Sequence, residues 1–177
     1  MNNKLAVVII FAVIIIGICW SNIAKENYNP ETQINSYFSP GCTEAIVTVI
    51  NKAEKTIFVQ AYSFTSAPIA QALVEAHKRK VKVEVILDKS QRTEKYSSAD
   101  FLIHAGIPTF IDSKHAIAHN KIIIVDGELV ITGSFNFTKS AEEHNAENLL
   151  IIGRKDIASK YTKNWEEHRE HSGRYER

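Results

Sequence analysis

The sequence predicts an α/β protein: an α/β/α sandwich around a mixed, largely parallel sheet. Three observations predict it. Short β-rich runs alternate with amphipathic helical segments of about 10–15 residues, the pattern of strands joined by crossover helices. Ile122 to Val125 is continuously apolar, as a strand buried on both faces must be. Asp126-Gly127 follows it directly, and this hairpin-turn dipeptide makes one strand pair antiparallel and the sheet mixed.

The elements follow in order. Residues 22–33 are polar and contain Pro30, which reads as a linker over 25–33 ahead of a single domain over 34–177. Thr43 is placed to cap a helix with Ile46, Val47, Ile50 and Ala53 on one face. Thr56–Tyr62 and Val81–Leu87 are β-rich, and between them Ser66 opens a helix with Ile69, Ala72, Leu73 and Ala76 inward. Ser97 or Ser98 starts another helix that ends near Gly106. Strands are expected at Ile107–Ile111, Ala118–Val125, Leu129–Thr132 and Glu147–Ile152, and a closing helix at Asp156–His168.

Composition limits the alternatives. The chain has 177 residues, 45% hydrophobic and 23% charged, so it can bury enough apolar surface to offset its ordering entropy, and disorder is excluded. Leu5 to Trp20 is an uninterrupted run of 16 weakly polar or apolar residues behind Lys4. That is the layout of a secretory signal, with Gly17-Ile18-Cys19 as a cleavage site. Extended to Ala24, the run reaches the length of a membrane anchor. Residues 1–24 are therefore expected to export the domain, as a secreted or periplasmic protein or one tethered to a membrane. Without them the chain has 20 basic and 20 acidic side chains, so a polyanionic partner must be held by local patches. Cys19 lies in the apolar run and leaves Cys42 alone, so no intradomain disulfide is expected.

The chemistry concentrates in Ala118-His119-Asn120-Lys121-Ile122-Ile123-Ile124-Val125-Asp126-Gly127, then Gly133-Ser134-Phe135-Asn136-Phe137-Thr138, then Glu147-Asn148. On a strand, His119 and Lys121 project from one face. An imidazole beside an ammonium suits an anionic substrate, one attacking or moving a proton while the other holds phosphate oxygens. Ser134 and Asn136, also two apart, offer further donors. Glu147 is expected to accept the second N–H of His119 and fix its tautomer. Asp126, an odd number of residues from His119, reads as a structural acceptor supporting the site. His115 and His119 are no ligand pair, because four residues along a strand separate them by about 13 Å. The other histidines read as surface residues. The run His77-Lys78-Arg79-Lys80 with Lys82 reads as a solvated helix end, and Lys89, Arg92 and Lys95 follow a strand end where ligands of open α/β sheets bind.

His119, Lys121 and Asp126, with the downstream Gly-Ser-x-Asn and Glu147, resemble the signature of the phospholipase D superfamily. The resemblance is strongest to its short members with one signature per chain, the exported bacterial endonuclease and small bacterial phospholipases D, and it covers Tyr37 to Trp165. Ala61-Tyr62-Ser63-Phe64-Thr65 is a supporting piece. The resemblance implies the phospholipase D/nuclease fold and a phosphodiesterase that works without metal or other cofactor, through a phosphohistidine. It makes His119, Lys121, Asp126 and Glu147 the catalytic set and Ser134 and Asn136 the substrate-binding pair. Two such histidines are needed and the chain carries one motif, so a homodimer with one shared site at its two-fold interface is expected. A nonspecific endonuclease acting on DNA or RNA is the leading expectation. A phospholipase D acting on phosphatidylcholine-like lipids is the alternative, and a non-catalytic nucleic-acid or membrane-binding module is the remote one.

Overall fold

The computed structural model describes residues 33–176; the N-terminal apolar run and all of the expected linker except Gln33 lie outside the described residues. In chain order the strands are β1 (Ile34–Phe38), β2 (Thr56–Ala61), β3 (Lys82–Asp88), β4 (Thr109–Asp112), β5 (Lys121–Val125), β6 (Leu129–Gly133), β7 (Asn148–Gly153) and β8 (Gly173–Arg174). They form one sheet in the order β1-β7-β6-β5-β2-β3-β4-β8. The helices are α1 (Cys42–Lys52), α2 (Ala67–Lys78), α3 (Ala99–His104), α4 (Lys139–Glu143) and α5 (Lys155–His171).

The sheet is mixed, as expected, but parallel pairing is confined to β2–β3 and β3–β4 and the other five pairings are antiparallel. The expectation of a largely parallel sheet is corrected for a simple reason. Parallel neighbours need a crossover, and α2 and α3 provide the crossovers between β2, β3 and β4, whereas α4 joins the neighbours β6 and β7 in antiparallel pairing. Asp126 and Gly127 join β5 to β6 with positive φ at both residues, 55° and 69°, the tight turn whose twist matches flanking strands.

Side chains alternate between two cores. Ile57, Val59, Val83, Val85, Ile123 and Val125 pack against α1 and α2 on one face, while Ile86, Ile122, Ile124 and Val130 meet Ala158 and Trp165 of α5 on the other. Trp165 stacks on Phe58 with ring centroids 4.5 Å apart and donates its indole N–H to the Val59 carbonyl at 2.9 Å. Helices thus cover both faces. Among the described residues, no helix is long and apolar enough to cross a membrane.

Local boundaries differ from the sequence reading where distant groups intervene. Gly41, not Thr43, holds the N-cap position of α1. The missing cap is supplied from afar: the Glu142 carboxylate accepts from the backbone N–H groups of Gly41 and Thr43. Ser66 and Ser98 stand at the N-caps of α2 and α3 without side-chain cap bonds; Ser97 instead accepts from the Ala99 N–H at 3.3 Å. The strand expected from Ala118 begins at Lys121 because the Ala118 N–H is taken by the Asp88 carboxylate at 2.8 Å. The strand expected from Ile107 begins at Thr109, and α5 extends three residues beyond His168. The basic run after α2 is structural in part: Arg79 donates to the carbonyls of Ile50 and Ala53 at the end of α1, and Lys82 pairs with Glu84 at 2.8 Å.

Burial works against ionisation of Glu142, but the N–H groups of Gly41 and Thr43 outweigh it and hold the carboxyl below its ordinary range. A depressed folded value means stability that is present above the unfolded value and lost as pH falls through the folded one. Glu142→Ala should therefore cost about 1–2 kcal/mol near neutral pH, read as a lower midpoint in chemical denaturation. Its deficit against the unaltered protein should shrink below about pH 4.

Candidate active site

Register brings the chemically active segments to one rim of the sheet. Ala61, the last residue of β2, is paired with Lys121, the first of β5, and Gly133, the last of β6, is paired with Leu149 near the start of β7. Tyr62, His119, Ser134 and Glu147 flank these ends and converge there. His119 lies two residues before β5 and is exposed, rather than on the strand itself.

Lys121 is 7% exposed, and its Nζ donates to the His119 carbonyl at 2.8 Å. Tyr62 contacts both members of the pair. Its ring centroid is 4.7 Å from that of His119, and Lys121 Nζ lies 5.3 Å from the same centroid, within cation–π range. The Tyr62 N–H also donates to the Asn120 carbonyl at 2.9 Å, pinning the backbone between the two. Burial pushes the Lys121 ammonium below its usual value, and the charge of Glu147 partly restores it. The site therefore holds a partly desolvated cation that an incoming anion would stabilise.

Ser134, Asn145, Glu147 and Asn148 form a second cluster. Ser134 Oγ donates to Glu147 Oε2 at 2.5 Å and accepts from the Asn148 N–H and side-chain amide, while Asn145 Nδ2 donates to Glu147 Oε1 at 2.9 Å. Both Glu147 oxygens are thus engaged, and the bond expected between Glu147 and His119 is not among these contacts. Glu147 also precedes β7 rather than opening it. Asn136 Oδ1 is buried with no hydrogen-bond partner among the described residues.

The backbone that carries Ser134 is held with little freedom. A Cβ at Gly133 would sit 2.3 Å from the Asn148 carbonyl oxygen, so no side chain fits there. Beyond it Phe137 pairs in parallel with Phe64, their rings edge-to-face at 5.8 Å. The Thr65 and Ser66 N–H groups both donate to the Phe137 carbonyl at 2.9 Å. The two segments that supported the sequence resemblance therefore interlock beneath the site.

Asp126 lies at the other end of β5, roughly 16 Å away along the strand. Its carboxylate accepts from the N–H groups of Glu54, Lys55 and Thr56 at 2.7–3.0 Å. It closes the loop before β2 and does not touch His119 or Lys121.

The comparisons with known proteins agree with this geometry. A family model described as "Cardiolipin synthase, PLD-like domain" matches residues 46–169. The chain is 45% identical over 136 residues to a phospholipase D of Rickettsia conorii, covering 76% of this chain and 68% of that protein. It is 34% identical over 114 residues to a mitochondrial cardiolipin hydrolase of Xenopus laevis, covering 64% of this chain and 54% of that one. The chain belongs to the phospholipase D family. It superimposes on the crystal structure of the phospholipase D family member Nuc from Salmonella typhimurium with a TM-score of 0.80 at 35% identity, over 83% of this chain and all of Nuc. NucT from Helicobacter pylori shares the fold at a TM-score of 0.76 and 23% identity, over 82% of this chain and all of NucT. The chain is accordingly a phosphodiester hydrolase of that family.

For a phospholipase D family member, sequence reasoning left out one wall of the site. An open cleft of ≈ 430 Å³ is lined by His119, Lys121 and Thr132 on the sheet side and by Lys160, Tyr161 and Asn164 of α5. Lys160 and Asn164 fall within the expected closing helix, where the sequence alone assigns no role to either. The one available signal was their spacing, since positions four apart share a face. Tyr62 was quoted only as part of a motif; its position directly after β2 was the signal for its role.

Two stability outcomes follow. A lysine whose folded value is depressed destabilises the fold while protonated, and that penalty fades as pH rises through the folded value towards the unfolded one. Lys121→Met should therefore unfold at a higher temperature than the unaltered protein near neutral pH, with the gap narrowing towards pH 10.5. Asp126→Ala should lose about 2–4 kcal/mol, from three abandoned N–H groups and a non-glycine residue left at positive φ; thermal melts across pH measure the first outcome and denaturant titration the second.

Proposed function

We propose that the chain hydrolyses nucleic-acid phosphodiesters without a catalytic metal, through a phosphohistidine on His119, with two chains sharing one active site. The observation that carries this reading is His119 and Lys121 set against Tyr62 at the mouth of an open, polar cleft. An imidazole nitrogen attacks phosphorus, the bond to the leaving oxygen breaks, and the partner's His119 donates a proton to that oxygen. The partner's His119 then takes a proton from water, which attacks phosphorus and breaks the P–N bond. Lys121 of each chain balances the charge of the five-coordinate phosphorus, the role metal ions take elsewhere. Ser134 and Asn136 hold non-bridging oxygens, Ser134 exchanging its bond to Glu147 for one to phosphate.

A polymeric anion is favoured by what surrounds the cleft. Lys160 lines it, and Lys89, Arg92, Lys95 and Lys114 follow the ends of β3 and β4 on the same rim. Lys95 lies against Tyr96, which is 70% exposed, the mixture of cation and aromatic ring that receives single strands. Two large apolar side chains beside the site, Ile117 at 58% and Phe38 at 66% exposure, support a two-fold partner there. A phospholipid substrate is the second reading, favoured by the Rickettsia relatives named phospholipase D.

Purified protein is to be incubated briefly in EDTA with single-stranded DNA, RNA and labelled phosphatidylcholine. Cleavage of nucleic acid is expected; cleavage of lipid alone would overturn the substrate assignment. His119→Asn should lose at least about 10³-fold in rate, and Lys121→Met about 10²–10³-fold. Sedimentation should give a dimer, and a fully active monomer would remove the shared site.

A further inference from the structure

Asp112, at the end of β4, is fully buried, and three histidines close on it. Its Oδ2 lies 2.9 Å from His115 Nδ1, 2.8 Å from His168 Nδ1 and 3.3 Å from His171 Nε2. The other oxygen, Oδ1, already faces the N–H groups of Lys114 and His115. Three imidazole nitrogens therefore share one oxygen, which has two lone pairs to offer. Among the described residues, every ion-pair partner of Asp112 is a histidine. His168 and His171, expected at the surface, are only 14% and 22% exposed in their side chains, which corrects that reading for both. His115, too far along the chain from His119 to share a ligand with it, instead has its ring 4.8 Å and 5.3 Å from those of His168 and His171, more than fifty positions away.

We propose that Asp112, His115, His168 and His171 bind one divalent cation of the Zn²⁺ type. Four ligand atoms around tetrahedral zinc stand about 3.4 Å from one another. The three carboxylate–imidazole separations are already at or just under that length, and all the ligand atoms lie within 4.8 Å of one another. A cation resolves the crowding, because each nitrogen then presents a lone pair instead of a proton. Three imidazoles and a carboxylate select a borderline metal over calcium or magnesium, which prefer oxygen ligands. Glu167 and Glu170 line the cleft that opens onto the cluster together with Lys114, so acidic side chains outnumber basic ones at its entrance. Four protein ligands leave no open position, so the metal is structural and does not enter the phosphodiester chemistry. It ties α5 to the segment between β4 and β5, which continues through Ala118 into His119. Asn164 lines both this cleft and the catalytic one.

The full chain, purified without chelator, is to be assayed for metal by mass spectrometry and then stripped and titrated with Zn²⁺, following melting temperature and heat of binding. About one Zn²⁺ per chain is expected, with a melting temperature that falls by several degrees on stripping and returns on adding Zn²⁺. His168→Ala/His171→Ala should abolish binding while retaining the far-ultraviolet circular dichroism of the stripped protein. Co²⁺ titration of the unaltered chain gives an independent reading should that variant fail to fold: intense tetrahedral bands support the site. An octahedral spectrum, no binding at micromolar Zn²⁺, or undiminished binding by the folded double variant would overturn it.

Discussion

Carboxylates that collect backbone N–H groups at the ends of strands and helices hold this protein in shape. Asp126 takes three from the loop before β2 and the first residue of that strand, Glu142 takes two from the start of α1, and Asp88 takes one each from Ser90 and Ala118. Charge-assisted bonds of this type are shorter and stronger than neutral ones, and each spans a loop that the regular ladder leaves unsatisfied. Burial opposes ionisation of Asp88, and the Ser90 and Ala118 N–H groups still hold it below the ordinary range. Through Ala118 that carboxylate sets where the chain stands immediately before His119.

This explains how a mobile residue type becomes a placed one. His119 is exposed and lies outside any strand, but its neighbours on both sides are fixed, Ala118 by Asp88 and Asn120 by the Tyr62 N–H. Lys121 is fixed by burial in β5 and by its bond back to the His119 carbonyl. The desolvated ammonium costs stability, and that cost is the expected mark of a site organised around an absent anion.

Much of this was legible in the sequence. The continuous apolar run of β5, the Asp-Gly turn and the alternation of helix and strand gave a mixed sheet with helices on both faces. The segment from His119 to Asp126 and the Gly133–Thr138 loop identified the rim where the polar residues gather. What sequence could not give was the set of contacts made between distant residues. Nothing local marks Glu142 as the cap of α1, Asp88 as the acceptor that delays the start of β5, or Ser134 as the partner that occupies Glu147. The sheet was read as largely parallel because strand–helix alternation does not reveal which strands become neighbours. His168 and His171 look like exposed positions at the end of a polar helix until β4 delivers a buried aspartate beneath them.

One face of the sheet is packed by several helices, whereas among the described residues α5 alone covers the other and also supplies the wall of the cleft opposite the sheet. That wall is encoded after every strand that frames the cleft. During synthesis on the ribosome, the nascent chain therefore exposes His119 and Lys121 well before the surface opposite them exists. The cleft stays open on one side until α5 has emerged and docked Trp165 against Phe58.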